Sequence, residues 1–154
     1  MAQEIERKFR VANDDWRAMA TSSSSLKQGY LSSSAEATVR VRLEDNLGTL
    51  TIKSKTKGIT RNEFEYAIPA QEAKELLMLC RGPLIEKIRY RILQENHTWE
   101  IDVFEGDNDG LIIAEIELTS EDDYFAKPQW LGEEVSGDSR YYNSNLATHP
   151  YVNW

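Results

Sequence analysis

Cysteine and histidine are scarce in this sequence, and their scarcity excludes several kinds of protein. A single cysteine, Cys80, occurs among the 154 residues, so a disulfide framework is impossible. Its apolar surroundings indicate a buried structural thiol rather than a nucleophile. The two histidines, His97 and His149, stand far apart along the chain, so a metal site is expected to use oxygen ligands.

Long hydrophobic runs are also lacking, and the first residues are charged rather than apolar. We therefore expect no secretory leader and no membrane-spanning segment, and the cytoplasm is the expected location. With 40% hydrophobic and 29% charged residues, the composition is that of an ordinary folded protein. The length suits a single domain over residues 1–154.

Positive charge is in deficit, with 18 basic residues against 26 acidic ones and a formal net charge of −8. Such a charge repels phosphate backbones, so nucleic acid is not an expected partner. A local cationic pocket remains compatible with this balance.

Helical patterns are few and short. Residues 13–19, 71–80 and 120–128 are predicted helices, because each begins at a capping or acidic residue or has one apolar side. The serine clusters at residues 22–25 and 32–34 are predicted loops.

Period-two alternation dominates the rest of the chain and predicts β-strands. Because the strand candidates mostly follow one another, we expect an antiparallel meander that closes into an eight-stranded β-barrel, in a β-dominated α+β fold with a few helices outside. The candidates are residues 4–9, 27–31, 38–43, 49–55, 63–68, 87–93, 98–104 and 111–118.

One face of these strands is charged, since residues i and i+2 share a face. Its bases are Lys8, Arg40, Arg42, Lys53, Lys55, Lys87, Arg89 and Arg91. Its acids are Glu4, Glu6, Glu63, Glu65, Glu100, Asp102, Glu115 and Glu117.

Two arrangements of this charged face are conceivable: the solvated outside of a sandwich, or the lumen of a barrel. Same-sign pairs recur at i and i+2, and like charges so close repel each other unless a charged guest lies between them. The pattern therefore favours a charged lumen. Arginine and lysine suit phosphate oxygens, and clustered carboxylates suit Mg²⁺ or Mn²⁺, so a metal-bound polyphosphate is the expected guest.

An ordered series of motifs resembles the CYTH, or triphosphate tunnel metalloenzyme, superfamily, and in particular its small bacterial inorganic triphosphatases. The series covers nearly the whole chain. It comprises Glu4-Ile5-Glu6-Arg7-Lys8, Gln28-Gly29-Tyr30-Leu31, Val39-Arg40-Val41-Arg42, Thr51-Ile52-Lys53-Ser54, Arg61-Asn62-Glu63-Phe64-Glu65, Glu86-Lys87-Ile88-Arg89-Tyr90, Glu100-Ile101-Asp102-Val103-Phe104-Glu105-Gly106, Ala114-Glu115-Ile116-Glu117-Leu118, Gly132-Glu133-Glu134-Val135 and Asp138-Ser139-Arg140-Tyr141-Tyr142-Asn143.

The resemblance implies an eight-stranded tunnel with inward charges and metal-dependent hydrolysis of a triphosphate. The residues it assigns to the metal are Glu4, Glu6, Asp102, Glu115 and Glu117. The residues it assigns to the triphosphate are Lys8, Arg40, Arg42, Lys53, Lys87, Arg89 and Arg140, the last as a clamp from the C-terminal segment. Glu63 and Glu65 are expected to orient the bases.

The chemistry itself is expected to involve Glu4, Glu6, Lys8 and Tyr30. Tyr30 could assist proton transfer beside Lys8, but a packing role is the favoured alternative. Three rival functions stay open: a class IV-type adenylyl cyclase, a thiamine triphosphatase, and a module that binds polyphosphate or nucleotide without cleaving it. The expected partner is a small-molecule triphosphate, and a homodimer is not excluded.

Overall fold

The computed structural model describes residues 3–154, and antiparallel strands make up most of it. The strands are β1 (Gln3–Val11), β2 (Ser22–Ser33), β3 (Ala37–Glu44), β4 (Leu47–Ser54), β5 (Thr60–Ile68), β6 (Arg81–Gln94), β7 (His97–Phe104), β8 (Ile112–Glu117) and β9 (Leu131–Glu134). The helices are α1 (Ala70–Leu77) and α2 (Asn143–Thr148), with 3₁₀ turns at Asp15–Met19, Gly106–Asn108, Ser139–Tyr141 and Tyr151–Asn153.

A closed barrel forms from eight of these strands, in the order β5-β4-β3-β2-β6-β7-β8-β1. The barrel closes where β1 pairs with β5 over a short seam in which Glu4 lies opposite Arg61. β9 is added at the far end of β1, where Phe9 pairs with Glu134. All eight predicted strands are present, and the predicted closed, β-dominated barrel is confirmed.

Two of the predictions for local structure were wrong. Residues 22–25, a predicted loop, form the start of β2, because Ser22 and Ser24 pair with Arg91 and Arg89 of β6 and this pairing overrides the low strand propensity of serine. Residues 120–128 form no helix, because the Asp123 carboxylate accepts hydrogen bonds from the Thr119 backbone N–H and hydroxyl and so favours a turn. The sequence analysis also missed β9 and α2, while the loop predicted at residues 32–34 begins only at residue 34.

The hydrophobic core lies largely outside the barrel wall, as expected for a barrel with a polar lumen. One cluster packs Trp16, Trp99 and Trp130 against outward side chains of β1, β7 and β8. A second lies under α1, where Ala73 and Leu77 cover Val41. Among residues 3–154, no helix has the length and apolar character needed to cross a membrane.

A third cluster closes one end of the barrel. Tyr141, Leu146 and Ala147, from the 3₁₀ turn and α2, pack with Ile85 and Phe104 of the wall. The C-terminal segment thereby forms a floor below the charged part of the lumen.

Candidate active site

The lumen holds a cavity of about 340 Å³ whose wall is mainly charged. Most of the predicted site residues contribute to this wall. They are Glu4, Glu6, Lys8, Tyr30, Arg40, Arg42, Lys53, Lys87, Arg89, Glu115 and Glu117. Successive inward positions of neighbouring strands bring them together, as the period-two pattern predicts.

Three arginines form a basic region of the wall. Burial and the nearby charges of Arg40 and Arg89 lower the pKa of Arg42 to about 9. The Arg40 side chain donates to Thr51 Oγ1 at 3.3 Å, but its buried Nε has no hydrogen-bond partner among the described residues. A buried donor without an acceptor is costly, so this region is suited to an anion.

Glutamates form an acidic region of the same wall. Burial, together with the charges of Glu115 and Glu4, raises the pKa of Glu6 to about 8. Glu117, on the same face of β8 as Glu115, also has a raised pKa, from burial and from the charges of Glu4 and Glu63. Like-charged carboxylates this close repel one another, and a cation between them would relieve the repulsion.

Glu4 differs from these glutamates because two cations hold it. The Lys53 Nζ lies 3.3 Å from Glu4 Oε1, and the Arg61 Nε donates to the same oxygen at 2.9 Å. Burial alone would raise the pKa of Glu4, but the charges of Lys53 and Arg61 outweigh it and lower the pKa to about 2. Lys53 is also 3.2 Å from Glu63, in agreement with the expected orienting role of Glu63.

Asp102 lies behind the cavity wall rather than on it. Its side chain is fully buried, and its Oδ1 accepts from Arg89 Nε at 2.8 Å. Its Oδ2 accepts from Arg89 Nη2 at 2.9 Å and lies 2.7 Å from Lys87 Nζ. Because both carboxylate oxygens contact bases, Asp102 orients Arg89 and Lys87. This position differs from that of a metal ligand, the role that the sequence predicted for Asp102.

Arg140 is not brought to the cavity. Its guanidinium donates to Asp138 Oδ2 at 2.7 Å, stacks near Trp154, and is 55% exposed. The predicted clamp is therefore not formed in this structure. Tyr30 is on the wall, but its ring belongs to the cluster that includes Ile85, which supports the packing alternative.

Several cavity residues escaped the sequence analysis of the site, among them Arg61, Asn143 and Tyr142. Arg61 shares the inward face of β5 with Glu63 and Glu65, so the same alternation could have identified it. Asn143 of α2 accepts from Lys87 Nζ at 3.0 Å and from Gln28 Nε2 at 3.3 Å, and no periodic signal marks it. Tyr142 precedes it and lies 5.7 Å from Lys8 Nζ.

The acidic region provides suitable donors for a hard divalent cation, although it is not a preformed site. Among residues 3–154, no three acidic, histidine or cysteine side chains converge closely enough to enclose an ion. The oxygen donors and the mutual repulsion around Glu6 and Glu115 nevertheless match Mg²⁺ or Mn²⁺, which bind carboxylates together with substrate phosphates. The residues therefore fit a divalent metal that carboxylates and substrate phosphates bind together.

Comparisons with known proteins agree on one family. The CYTH domain profile matches residues 2–151. The chain is 48% identical to the inorganic triphosphatase of Acetivibrio thermocellus over 155 residues, covering 100% of this chain and 99% of that protein. It is 38% identical to the inorganic triphosphatase of Nitrosomonas europaea over 149 residues, covering 94% and 96%. The crystal structure of the inorganic triphosphatase NE1496 superposes with a TM-score of 0.66 and 34% identity, covering 96% of this chain and 95% of that one.

Proposed function

The chain belongs to the CYTH domain family and is a triphosphatase, and we propose that it hydrolyses inorganic tripolyphosphate inside its tunnel with the help of Mg²⁺ or Mn²⁺. The observation that carries the proposal is that one cavity gathers like charges of both signs, in an acidic and a basic region that meet where Arg89 Nη2 lies 4.0 Å from Glu115 Oε2. Arg42, among arginines, has its pKa lowered, and Glu6, among glutamates, has its pKa raised. Neither an anion nor a cation alone relieves both regions, whereas a metal-bound polyphosphate does.

The basic residues bind and orient the phosphoryl groups. Arg40 and Arg42 present planar forks to the phosphoryl oxygens, and Arg89, held in position by Asp102, does the same from β6. Lys87 and Lys8 supply compact positive charge near the floor. These charges stabilise the negative charge that develops on the equatorial and leaving oxygens as the terminal phosphoryl group is transferred.

The acidic residues hold the metal, with Glu6, Glu115 and Glu117 as ligands and Glu4 as a further one. A divalent cation held by these carboxylates would supply Lewis-acid stabilisation by neutralising part of the phosphoryl charge. In the reaction, a water oxygen bonds to the terminal phosphorus while the bridging P–O bond breaks. The electron pair of that bond leaves with diphosphate, the water's proton passes to solvent, and phosphate and diphosphate are released. The water is oriented by a glutamate of the acidic region.

An inorganic substrate is favoured because the cavity wall formed by residues 3–154 offers no free aromatic face for a nucleobase or a thiazolium ring. Among the described residues that line the cavity, the aromatic side chains are Tyr30 and Tyr142. The ring of Tyr30 packs in the floor cluster, and the Lys8 ammonium lies over the ring of Tyr142. Stacking of a nucleobase would need an aromatic face that these contacts do not already occupy.

The same proposal includes a single domain over residues 1–154 and a cytoplasmic location. The scarcity of cysteine supports the location, because disulfides are typical of oxidising compartments. A small-molecule triphosphate is the proposed partner, and a homodimer is compatible with the sequence.

Phosphate release tests the proposal. Tripolyphosphate, ATP and thiamine triphosphate are each incubated with Mg²⁺, Mn²⁺ or EDTA, and release is compared for wild type, Glu6→Gln and the control Glu75→Gln on the exposed side of α1. We expect release from tripolyphosphate with metal, none with EDTA, loss of at least about a hundredfold in Glu6→Gln, and normal activity in the control. Preference for ATP or thiamine triphosphate would contradict the assigned substrate, and no release from any of them would contradict hydrolysis.

A further inference from the structure

Arg61 occupies the side of the cavity where the metal is expected. It stands on β5 opposite Glu4, at the short seam that closes the barrel. Its Nε donates to Glu4 Oε1 at 2.9 Å, and its Nη2 lies 3.9 Å from Glu6 Oε1. One guanidinium thus spans the two carboxylates that begin the acidic region.

The Arg61 side chain is more exposed to solvent than Lys53, the other cation on Glu4. Lys53 contacts both Glu4 and Glu63, and its side chain is only 10% exposed. Arg61 is 23% exposed, and within residues 3–154 its guanidinium has no hydrogen-bond or ion-pair partner besides Glu4 and Glu6. If both carboxylates turned to another cation, Arg61 would be free to move along the cavity wall.

We propose that Arg61 competes with the divalent metal for Glu4 and Glu6 and, when displaced from them, binds a phosphoryl group of the substrate. This inference rests on the proposed metal-dependent triphosphatase function. Arg61 neutralises carboxylates that would otherwise repel each other, so it competes with the metal. Once released, its guanidinium would be free to bind phosphate oxygens in the same cavity, so it would favour substrate binding.

Because Arg61 competes with the metal but contacts the substrate, its loss should have opposite effects on metal binding and on substrate binding. Loss of Arg61 should tighten metal binding, because the competitor is gone, and weaken substrate binding, because a phosphate contact is gone. If Arg61 only closed the seam between β1 and β5, its replacement would lower thermal stability. Metal affinity and substrate affinity would then shift in the same direction or not at all.

The test measures Mn²⁺ affinity without substrate by the electron paramagnetic resonance signal of free Mn²⁺, and the KM for tripolyphosphate at saturating Mn²⁺. The variant is Arg61→Gln. The matched control is Arg91→Gln. It removes one positive charge from the same cavity, but the carboxylates that lose their ion-pair partner are Glu44 and Glu100. We expect Arg61→Gln to bind Mn²⁺ on the order of tenfold more tightly and to raise the KM on the order of tenfold. Arg91→Gln should leave Mn²⁺ affinity within about twofold of wild type.

Arg61→Lys keeps the charge but cannot span both carboxylates, so we expect a Mn²⁺ affinity between wild type and Arg61→Gln. If Arg61→Gln does not fold, the Mn²⁺ affinity of Arg61→Lys tests the inference instead. Unchanged or weaker Mn²⁺ binding in the Arg61 variants, an unchanged KM, or an equal gain in Arg91→Gln would overturn the inference. Failure of the proposed function looks different, since wild type would then release no phosphate and Glu6→Gln would bind Mn²⁺ as wild type does.

Discussion

The Asp102 carboxylate accepts two hydrogen bonds from the Arg89 guanidinium, of 2.8 and 2.9 Å, behind the cavity wall. The same carboxylate reaches Lys87 Nζ at 2.7 Å, and both Asp102 and Lys87 are fully buried. Burial acts against the ionised form of Asp102, but Arg89 and Lys87 outweigh it and hold its pKa well below its ordinary value. One anion therefore fixes two of the bases that face the substrate.

Replacement of Asp102 tests whether it orients the bases or binds metal. Asp102→Asn keeps the size of the side chain but leaves two buried cations without their anion, so we expect the free energy of unfolding to fall by about 3 kcal/mol in urea denaturation. Mn²⁺ affinity should stay within about twofold of wild type, because the carboxylate is not a ligand. Unchanged stability together with a large loss of Mn²⁺ affinity would restore the role that the sequence first suggested.

Repulsion within the acidic region makes stability depend on pH. The pKa of Glu6 rises from 4.5 to about 8 on folding, so between these values the native state holds a proton that the unfolded state has lost. Stability of the metal-free protein therefore falls as pH rises across this window, by at most about 1.4 kcal/mol per pH unit from this group. In EDTA, we expect the free energy of unfolding of Glu6→Gln to fall less than that of wild type between about pH 5 and about pH 8. Parallel stability profiles in urea denaturation would contradict the assignment.

Two of the arginines that the sequence placed on the substrate, Arg42 and Arg140, should behave differently. Arg42 lines the cavity and donates to Gln28 Oε1 at 2.9 Å, whereas Arg140 is exposed and bonded to Asp138. We expect Arg42→Gln to raise the KM for tripolyphosphate at least about tenfold, and Arg140→Gln to change it less than about twofold. A comparable rise for Arg140→Gln, in steady-state assays at saturating metal, would show that the C-terminal segment contacts substrate after all.

The strands and the inward charges could be predicted because one physical rule, alternation of faces, governs both. The inward position of Arg40 and Arg42 could be predicted without tertiary information, because the apolar residues that alternate with them identify the opposite, core-facing side of the strand. The rule also covers Arg61, but the predicted strand began two residues later and left it out. Asn143 could not be found this way, because α2 is short and its position depends on packing of Leu146 in the floor cluster. The role of Asp102 depends on how Arg89 and Lys87 converge, which the alternation of one strand does not specify.

The central claim is that the two charged regions act together on a metal-bound polyphosphate. It is tested most directly by calorimetric titration of wild type with a tripolyphosphate analogue whose bridging oxygens are replaced by nitrogen, with Mn²⁺ and with EDTA. We expect Mn²⁺ to strengthen binding of the analogue at least about tenfold, and Glu6→Gln to abolish that gain. Equal affinity with Mn²⁺ and with EDTA would contradict the account and indicate a site that binds the anion alone.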